Sequence, residues 1–202
     1  MKVVIIGAGS VAHMVADIIR SDHNFILEGF IGTPEEEIKY KEKELYGLGR
    51  FLGDHSVIPH LQNDGVSGFV VAVGDNYLRE KYYYECQQHK LCPINVISSD
   101  VIIQHNVSFG KGVIVCPGVI LCSGVSVGNN VIMLSGVICN VNTEIGDHSN
   151  LRMGAIIGGM VKIGKNVRVE IRSYVGADVG KNNKTSIGEI VTNRIEDKFR
   201  EE

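Results

Sequence analysis

The sequence predicts a chain in two parts: a small α/β unit of Rossmann-like handedness, then a left-handed parallel β-helix built from hexapeptide repeats. Three observations carry that expectation. The chain opens on an apolar run, Lys2 to Ile6, that passes straight into Gly7-Ala8-Gly9-Ser10. From Val101 onward the residues fall into fifteen consecutive sixes without a gap. Glycine accounts for 24 of 202 residues while proline is only 4, so the glycine excess serves an ordered backbone and not a disordered or collagen-like chain.

The first part covers residues 1–97. Lys2 to Ile6 suits a buried parallel strand, and the glycines after it make a tight turn. Ser10 then caps a helix through Arg20 whose apolar face is Val11, Met14, Val15, Ile18 and Ile19. Phe25 to Ile31 is a second strand. The Glu- and Lys-rich stretch 33–43 reads as a solvated loop or short helix. Gly68 to Val73 is a third strand, Asn76 caps a helix carrying Arg79, Tyr83 and Cys86, and Pro93 to Ile97 closes the unit. Alternating strands and helices with short loops imply a parallel sheet with right-handed crossovers.

The second part, 98–202, holds the repeats and a polar C-terminal tail. Written in sixes from Val101, the first position is Val, Thr, Ser or Ala in all fifteen, and Val191 extends that column. The third position is apolar in fourteen of fifteen, Lys181 being the exception. Neither an α-helix nor a hairpin array has a period of six. Each six is one short strand and a corner, three make an 18-residue triangular coil, and five coils stack to roughly 24 Å at the usual strand spacing. The third residue fills the interior, the small first residue sits near the corner, and glycine at the fourth position permits the turn. Val179-Gly180-Lys181-Asn182 looks like the Ile-Gly-x-Asn phrase shifted by two, which predicts a bulge or loop in the last coil.

A formal net charge of −3 with scattered Lys and Arg argues against a nucleic-acid or anionic-membrane surface. No apolar run is long enough to span a bilayer, and the N-terminal run is too short for a signal peptide. The five cysteines, Cys86, Cys92, Cys116, Cys122 and Cys139, form no C-x-x-C pair and suit a reducing cytoplasm. A zinc site is not expected, because the repeats contain only His105 and His148, in different corner columns.

Several stretches together resemble the sugar acyltransferases related to sialic acid O-acetyltransferase and UDP-4-amino-sugar N-acetyltransferase. They are Val4-Ile5-Ile6-Gly7-Ala8-Gly9, Val15-Ala16-Asp17-Ile18-Ile19, Leu27-Glu28-Gly29-Phe30-Ile31, Ala72-Val73-Gly74-Asp75-Asn76 with Arg79, and Ile145-Gly146-Asp147-His148. The resemblance covers nearly the whole chain. It implies a nucleotide-sugar-binding first domain, a homotrimer, acetyl-CoA as co-substrate in the cleft between adjacent β-helices, and an amino- or hydroxyl-sugar acceptor. No metal is implied.

The chain also departs from that pattern. The corner where the family carries a histidine base and its orienting carboxylate holds Val141 and Asn142, and a second family histidine corresponds to Asn150. Valine cannot take a proton. Glu170, Arg172 and Glu189 stand where the family lines its CoA groove with small residues, and Gly32-Thr33 stands where acids follow the second strand. The candidate catalytic residues are therefore Asn142, His105 and Glu144. His105 falls in the Val141 column, and Glu144 lies beside Asn142. Asn140, Asn142 and Asn150 read as one cluster that orients a polar ligand or an oxyanion, or as ordinary corner asparagines. Asn150 and Ile171 are the cofactor-side candidates. Gly7, Gly9, Ser10 and His13 are the substrate-side candidates, since Gly7-x-Gly9-x-x-Ala12 after a strand fits either a phosphate-binding turn or a purely structural one.

The expected function is an acyl-CoA-dependent transferase, acetyl in the first instance, acting on a nucleotide-linked or free sugar in surface-glycan biosynthesis without the usual histidine. An amine acceptor makes this chemically feasible, because a neutral amine attacks a thioester with less help than a hydroxyl. The alternative is a family member without catalysis that serves as a trimeric binding or scaffold protein.

Overall fold

The computed structural model describes residues 1–33, 36, 38, 40, 44–45 and 47–199. The expectation for 33–43 falls mostly outside these residues, as do the last three positions of the tail. The chain divides into two compact units, Met1–Val96 and Ile97–Glu202.

The first unit is a six-stranded sheet in the order β3-β4-β2-β1-β5-β6. Its strands are β1 (Lys2–Ile6), β2 (Ile26–Gly32), β3 (Glu44–Leu45), β4 (Gly49–Asp54), β5 (Gly68–Val71) and β6 (Cys92–Pro93). All pairings are parallel except β3 with β4. β1, β2 and β5 form the centre, and Val3 to Ile6, Phe30, Ile31 and Phe69 to Val71 are almost fully buried. Such all-apolar runs are what a strand covered on both faces requires.

Helix α1 (Ser10–Ser21) buries Ala12, Val15, Ala16, Ile18 and Ile19. Ser10 does not cap it: Gly9 occupies the cap position, with no side-chain hydrogen bond there. Helix α2 (Asn76–Gln88) is capped by Asp75, whose carboxylate accepts from the Leu78 N–H, so the cap falls one residue before the expected Asn76. Asn76 is instead buried in the first turn. The sequence pattern also passes over β4 and the 3-10 helix His55–Asp64. That helix starts with Asp54 accepting from the Ser56 N–H and stops at Gly65, whose φ is 77°. Pro93 pairs with Phe69 in the first sheet, whereas Val96–Ile97 (β7) begins the second unit's strands, so the segment expected to close the first unit is shared out between the two.

The second unit is the expected prism. Two-residue strands recur every six residues from β7 to β20 (Tyr174–Val175), and β21 (Ile190–Val191) follows after a longer interval. They stack in three parallel sheets. The first face holds β7, β10 (Ile114–Val115), β13 (Ile132–Met133), β16 (Asn150–Leu151) and β19 (Arg168–Val169). The second holds β8 (Ile102–Ile103), β11 (Ile120–Leu121), β14 (Ile138–Cys139), β17 (Ile156–Ile157), β20 and β21. The third holds β9 (Ser108–Phe109), β12 (Ser126–Val127), β15 (Glu144–Ile145) and β18 (Lys162–Ile163). One continuous core of third-position and first-position residues, from Val113 to Val191, fills the interior.

The glycine rule differs from the expected one. Left-handed backbone falls on the sixth position, at Asn106, Gly112, Gly118, Gly124, Asn130, Gly136, Asn142, His148, Gly154, Met160, Asn166 and Arg172. The fourth-position glycines lack positive φ and answer a different need. A Cβ on Gly146 would lie 2.6 Å from the Gly164 carbonyl carbon, and one on Gly164 would lie 2.5 Å from the Lys181 nitrogen. These glycines let one coil's corner rest on the next.

The irregularity in the last coil is a deletion, not a bulge. Partners are 18 residues apart through Ile157 and Val175, but Tyr174 pairs with Ile190 and Ile163 with Val179, both 16 apart. The corner after Val175 is two residues shorter, which moves the inward column to Val179, Thr185 and Val191, all at most 4% exposed. Val191 is therefore an inward residue and not a first-position one. Ile187, inward on an uninterrupted phase, is 72% exposed. The tail continues the prism, since Ile195 bridges to Val179 and the Asp197 carboxylate accepts from the Lys181 N–H.

Candidate functional site

In the first unit, the C-terminal ends of β1, β2 and β5 open on a cavity of about 190 Å³, the usual ligand position in an open parallel α/β sheet. Its wall at β1 is Gly7-Ala8-Gly9. Gly7 has φ of 121°, and a Cβ there would stand 2.8 Å from the Ala72 carbonyl oxygen, so only glycine allows this turn to pass so close to β5. A Cβ on Gly9 would meet nothing within 4 Å, which leaves that side open to a ligand. Ser10 and His13 do not line the cavity. His13 faces Asp17 at 3.6 Å on the exposed side of α1.

The wall at β2 contains a residue that the sequence reading passed over. Glu36 lines the cavity, and its carboxylate accepts from the Thr33 N–H at 2.9 Å while its own N–H donates to the Thr33 hydroxyl. This reciprocal pair folds the chain back so that a carboxylate lies over Gly32, where the sequence seemed to lack one. The signal was present as Thr-x-x-Glu, a capping-box spacing, hidden in a run of charged residues. Tyr82 adds a phenol whose pKa is raised by burial, reinforced by Glu85, Asp54 and Glu36. Behind the β5 wall, fully buried Arg79 donates to the Val73 carbonyl at 3.0 Å and to the Asn76 side chain at 2.9 Å.

In the second unit, the corner between the second and third faces carries Asn140-Val141-Asn142. Asn142 has φ of 55°, the conformation asparagine tolerates best after glycine. The Asn140 side chain accepts from the Val141 N–H at 2.8 Å, and the Thr143 hydroxyl lies 2.6 Å from the Asn140 carbonyl. Val141 is 43% exposed. Pairing of β8 with β11 and of β11 with β14 puts His105 in the same column two coils away, about 10 Å on the strand spacing. Glu144 points outward on the third face in an ion pair with Lys162 at 3.0 Å, both well exposed, so it is not a buried carboxylate.

Asn150 is separated from this group. It projects from the first face and is 1% exposed, whereas Asn140 and Asn142 are exposed at the opposite corner; the three asparagines do not form one cluster. Periodicity explains the split, since Asn150 is a second-position strand residue. Ile171 is half-buried at the corner between the first and second faces, next to Glu170. His148 is fully buried, its Nδ1 facing the Asn130 amide at 2.8 Å. Among the described residues no group of His, Cys, Asp and Glu side chains is placed to hold a metal ion, and no helix is long and apolar enough to cross a membrane.

Residues 2–86 match the PglD N-terminal domain family. Among curated proteins, none matches the sequence. Perosamine N-acetyltransferase from Caulobacter crescentus, solved with CoA and GDP-perosamine, superposes with a TM-score of 0.88 at 24% identity, covering 98% of this chain and 92% of that one. The acetyltransferase domain of PglB from Neisseria gonorrhoeae FA1090 gives 0.73 at 17%, covering 91% and 95% respectively. WeeI from Acinetobacter baumannii AYE gives 0.65 at 18%, covering 96% of each chain. At these identities the likeness is one of fold. The chain thus joins a first unit that matches the PglD N-terminal domain family to a left-handed β-helix, and shares its fold with the perosamine N-acetyltransferase structure.

Proposed function

We propose that this chain is an acyl-CoA-dependent transferase that moves an acetyl group from acetyl-CoA to an amino or hydroxyl group of a nucleotide-linked or free sugar. The observation that carries the reading is the joining, in one chain, of a PglD-type unit with an open cavity at Gly7 and Gly9 to a β-helix whose fold matches that of a CoA- and GDP-perosamine-bound acetyltransferase. The cavity takes the nucleotide of the acceptor, with the turn at Gly7 and Gly9 near its phosphates and Glu36 available to hydroxyl or amide donors. Ser10 at the first helical position adds a hydroxyl near that turn. His13 and His105 stay outside the reacting centre.

The acyl transfer is placed at the corner of Val141 and Asn142. Without an imidazole there, the acceptor nitrogen must arrive uncharged or lose its proton to solvent, and the Asn142 amide is available to orient it. The work proceeds in the cytoplasm, where acetyl-CoA is made.

The second face supports self-association. Its outward column is Ile102, Ile120, Ile138, Ile156, Tyr174 and Ile190, with no charge in six rungs. Ile102, Ile156, Tyr174 and Ile190 are 39–70% exposed, and Val141 and Met160 extend the apolar surface at the corner. An uncharged, partly exposed apolar column of this kind suits an interaction surface. It supports a homotrimer that brings a neighbouring prism against the Val141 corner.

One observation favours the second reading, a binding or scaffold trimer: Val141 stands exposed at the corner where the resemblance places the family's base. The two readings separate in one assay. The chain is incubated with acetyl-CoA and either GDP-perosamine or a UDP-linked 4-amino sugar, and product mass and released CoA are followed together. Acetylated sugar formed in proportion to enzyme supports the transferase. Binding of nucleotide sugar without any acetylated product supports the scaffold.

A further inference from the structure

The third face of the prism turns a different kind of column outward. It runs Ser108, Ser126, Glu144 and Lys162 on β9, β12, β15 and β18, and continues through Asp178 and Arg194, which precede the bridged residues Val179 and Ile195. Where the second face shows no charge in six rungs, this one shows four charges in succession, and their signs alternate: minus, plus, minus, plus. Glu144, Lys162 and Arg194 are exposed and Asp178 is half-buried. Within the chain Glu144 pairs with Lys162 at 3.0 Å and Arg194 with Glu196 at 3.2 Å. The Asp178 carboxylate accepts from the Lys162 N–H at 2.8 Å, which holds it on the face.

The column also stands as a ridge. The residue after each inward position is Gly128, Gly146, Gly164 or Gly180, so no side chain rises beside the charges, and a groove of about 520 Å³ runs along the face from Ser126 to Arg194. A two-fold axis presents the same patch from both sides of a contact. Placed in the plane of this face and midway between Lys162 and Asp178, such an axis runs the second ladder in the opposite direction. Glu144 then meets Arg194 of the second copy, Lys162 meets its Asp178, and each contact occurs twice. Two ladders running the same way would instead set like charge against like. The order of signs therefore selects the antiparallel register, as complementary charges do at interfaces generally. The exposed pair of Glu144 with Lys162 contributes little by itself, so exchanging it for a contact across the axis costs little.

We propose that the third face is a self-association surface on which two copies of this chain pack antiparallel, Glu144 against Arg194 and Lys162 against Asp178. This contact is independent of the acyl-transfer reading and of association through the second face. Its size makes it weak. One face of a prism roughly 24 Å tall falls short of the ~800 Å² per partner of a standard interface, so the pair forms at protein concentrations on the order of 0.1 mM and separates in salt.

The test is sedimentation velocity of the full chain from about 10 μM to about 1 mM, in low salt and in roughly 0.5 M NaCl. Wild type is expected to gain mass with concentration in low salt and to lose that gain in high salt. Glu144→Lys and Arg194→Glu each set like charges together across the contact and should each weaken association at least ~10-fold. Combined, they restore opposite charges and should recover most of it. That recovery has no source within one chain, because positions 144 and 194 are three rungs, about 14 Å, apart. Lys184→Gln, on the first face, should associate as wild type does. Circular dichroism melting of each variant guards against a folding defect, and if one single variant melts early the other carries the comparison. A wild-type mass that does not change with concentration would overturn the proposal. A double variant no stronger than the singles would also overturn it. Association that ignores the single variants would do the same, and would assign the contact to the second face.

Discussion

Replacing Gly146 with alanine should cost far more than replacing Gly136, although Gly136 is the one with unusual backbone. Gly136 has φ of 74°, but a Cβ there would meet its nearest neighbours, in Gly154, at 3.9 Å, an ordinary contact. Its alanine variant loses about 1–2 kcal/mol, the cost of a left-handed alanine, and an asparagine there should lose less. Gly146 has no such constraint, yet its Cβ would sit 2.6 Å from the Gly164 carbonyl carbon and 2.7 Å from the Lys165 nitrogen. Relief requires the two coils to part by roughly 1 Å at that corner, an overpacking cost of about 1–3 kcal/mol. The same movement stretches two inter-coil hydrogen bonds, Gly146 N–H to Ile163 at 2.7 Å and Gly164 N–H to Val179 at 2.8 Å. Weakening these adds about 1 kcal/mol. The expected total is ~3 kcal/mol for Gly146→Ala against ~1.5 for Gly136→Ala. For a chain of this size that is a drop in Tm of roughly 6–12 °C against 3–6 °C. Far-UV circular dichroism melts and urea titrations of the three variants measure it. If Gly136→Ala is the more damaging, the division of labour between fourth-position and sixth-position glycines is wrong.

Glu170 gives a pH prediction. Burial alone would raise its pKa, but Arg168, with Arg152 and Lys184, outweighs burial and holds the carboxyl below its ordinary value near 4.5. A depressed folded value means that the ionised carboxylate stabilises the fold at neutral pH, and that this is lost as pH falls below about 4.5 through the folded value. Glu170→Gln should therefore be less stable than wild type at pH 7, and chemical denaturation should show the gap closing in acid; a gap that widens in acid refutes the pairing. The cysteines should divide by access: burial pushes Cys116 to about 11 and Cys139 to about 12, and raises Cys86 further, while Cys92 is exposed. At pH 7 a thiol-disulfide reagent should modify Cys92 promptly and leave those three until urea is added, so prompt labelling of Cys139 would contradict its inward placement. Finally, Val141→His with Asn142→Asp is expected to raise acetyl transfer at least ~10-fold if that corner is the reacting centre, on the usual size of general-base assistance. No gain in a folded, CoA-binding double variant would move the chemistry elsewhere.

The prism was legible because its rules are local. A period of six with apolar first and third positions can be read from neighbouring residues, and from Val101 to Val175 the structure keeps that phase without a slip. The β1 turn was equally legible, since Gly7 answers to a backbone conformation that few other residues adopt. The caps were not, because Asp75 and Asn76, like Gly9 and Ser10, are adjacent candidates that differ only in where the helix begins.

What the sequence by itself determined, then, is the division into two units, the repeat and its interior, and the absence of a titratable side chain at Val141. Tertiary structure decided every question that depends on distance across the chain. It shortened one corner by two residues, so that Val179, Thr185 and Val191 face inward and Ile187 does not. It set Asn150 and Asn142 on different sides of the prism, returned a carboxylate to the end of β2 through Glu36, and gathered Arg152, Arg168 and Lys184 around Glu170. Periodicity fixes which way a residue points from its own strand, but the charge and shape of a site come from side chains contributed by different coils, and only the folded chain brings those together.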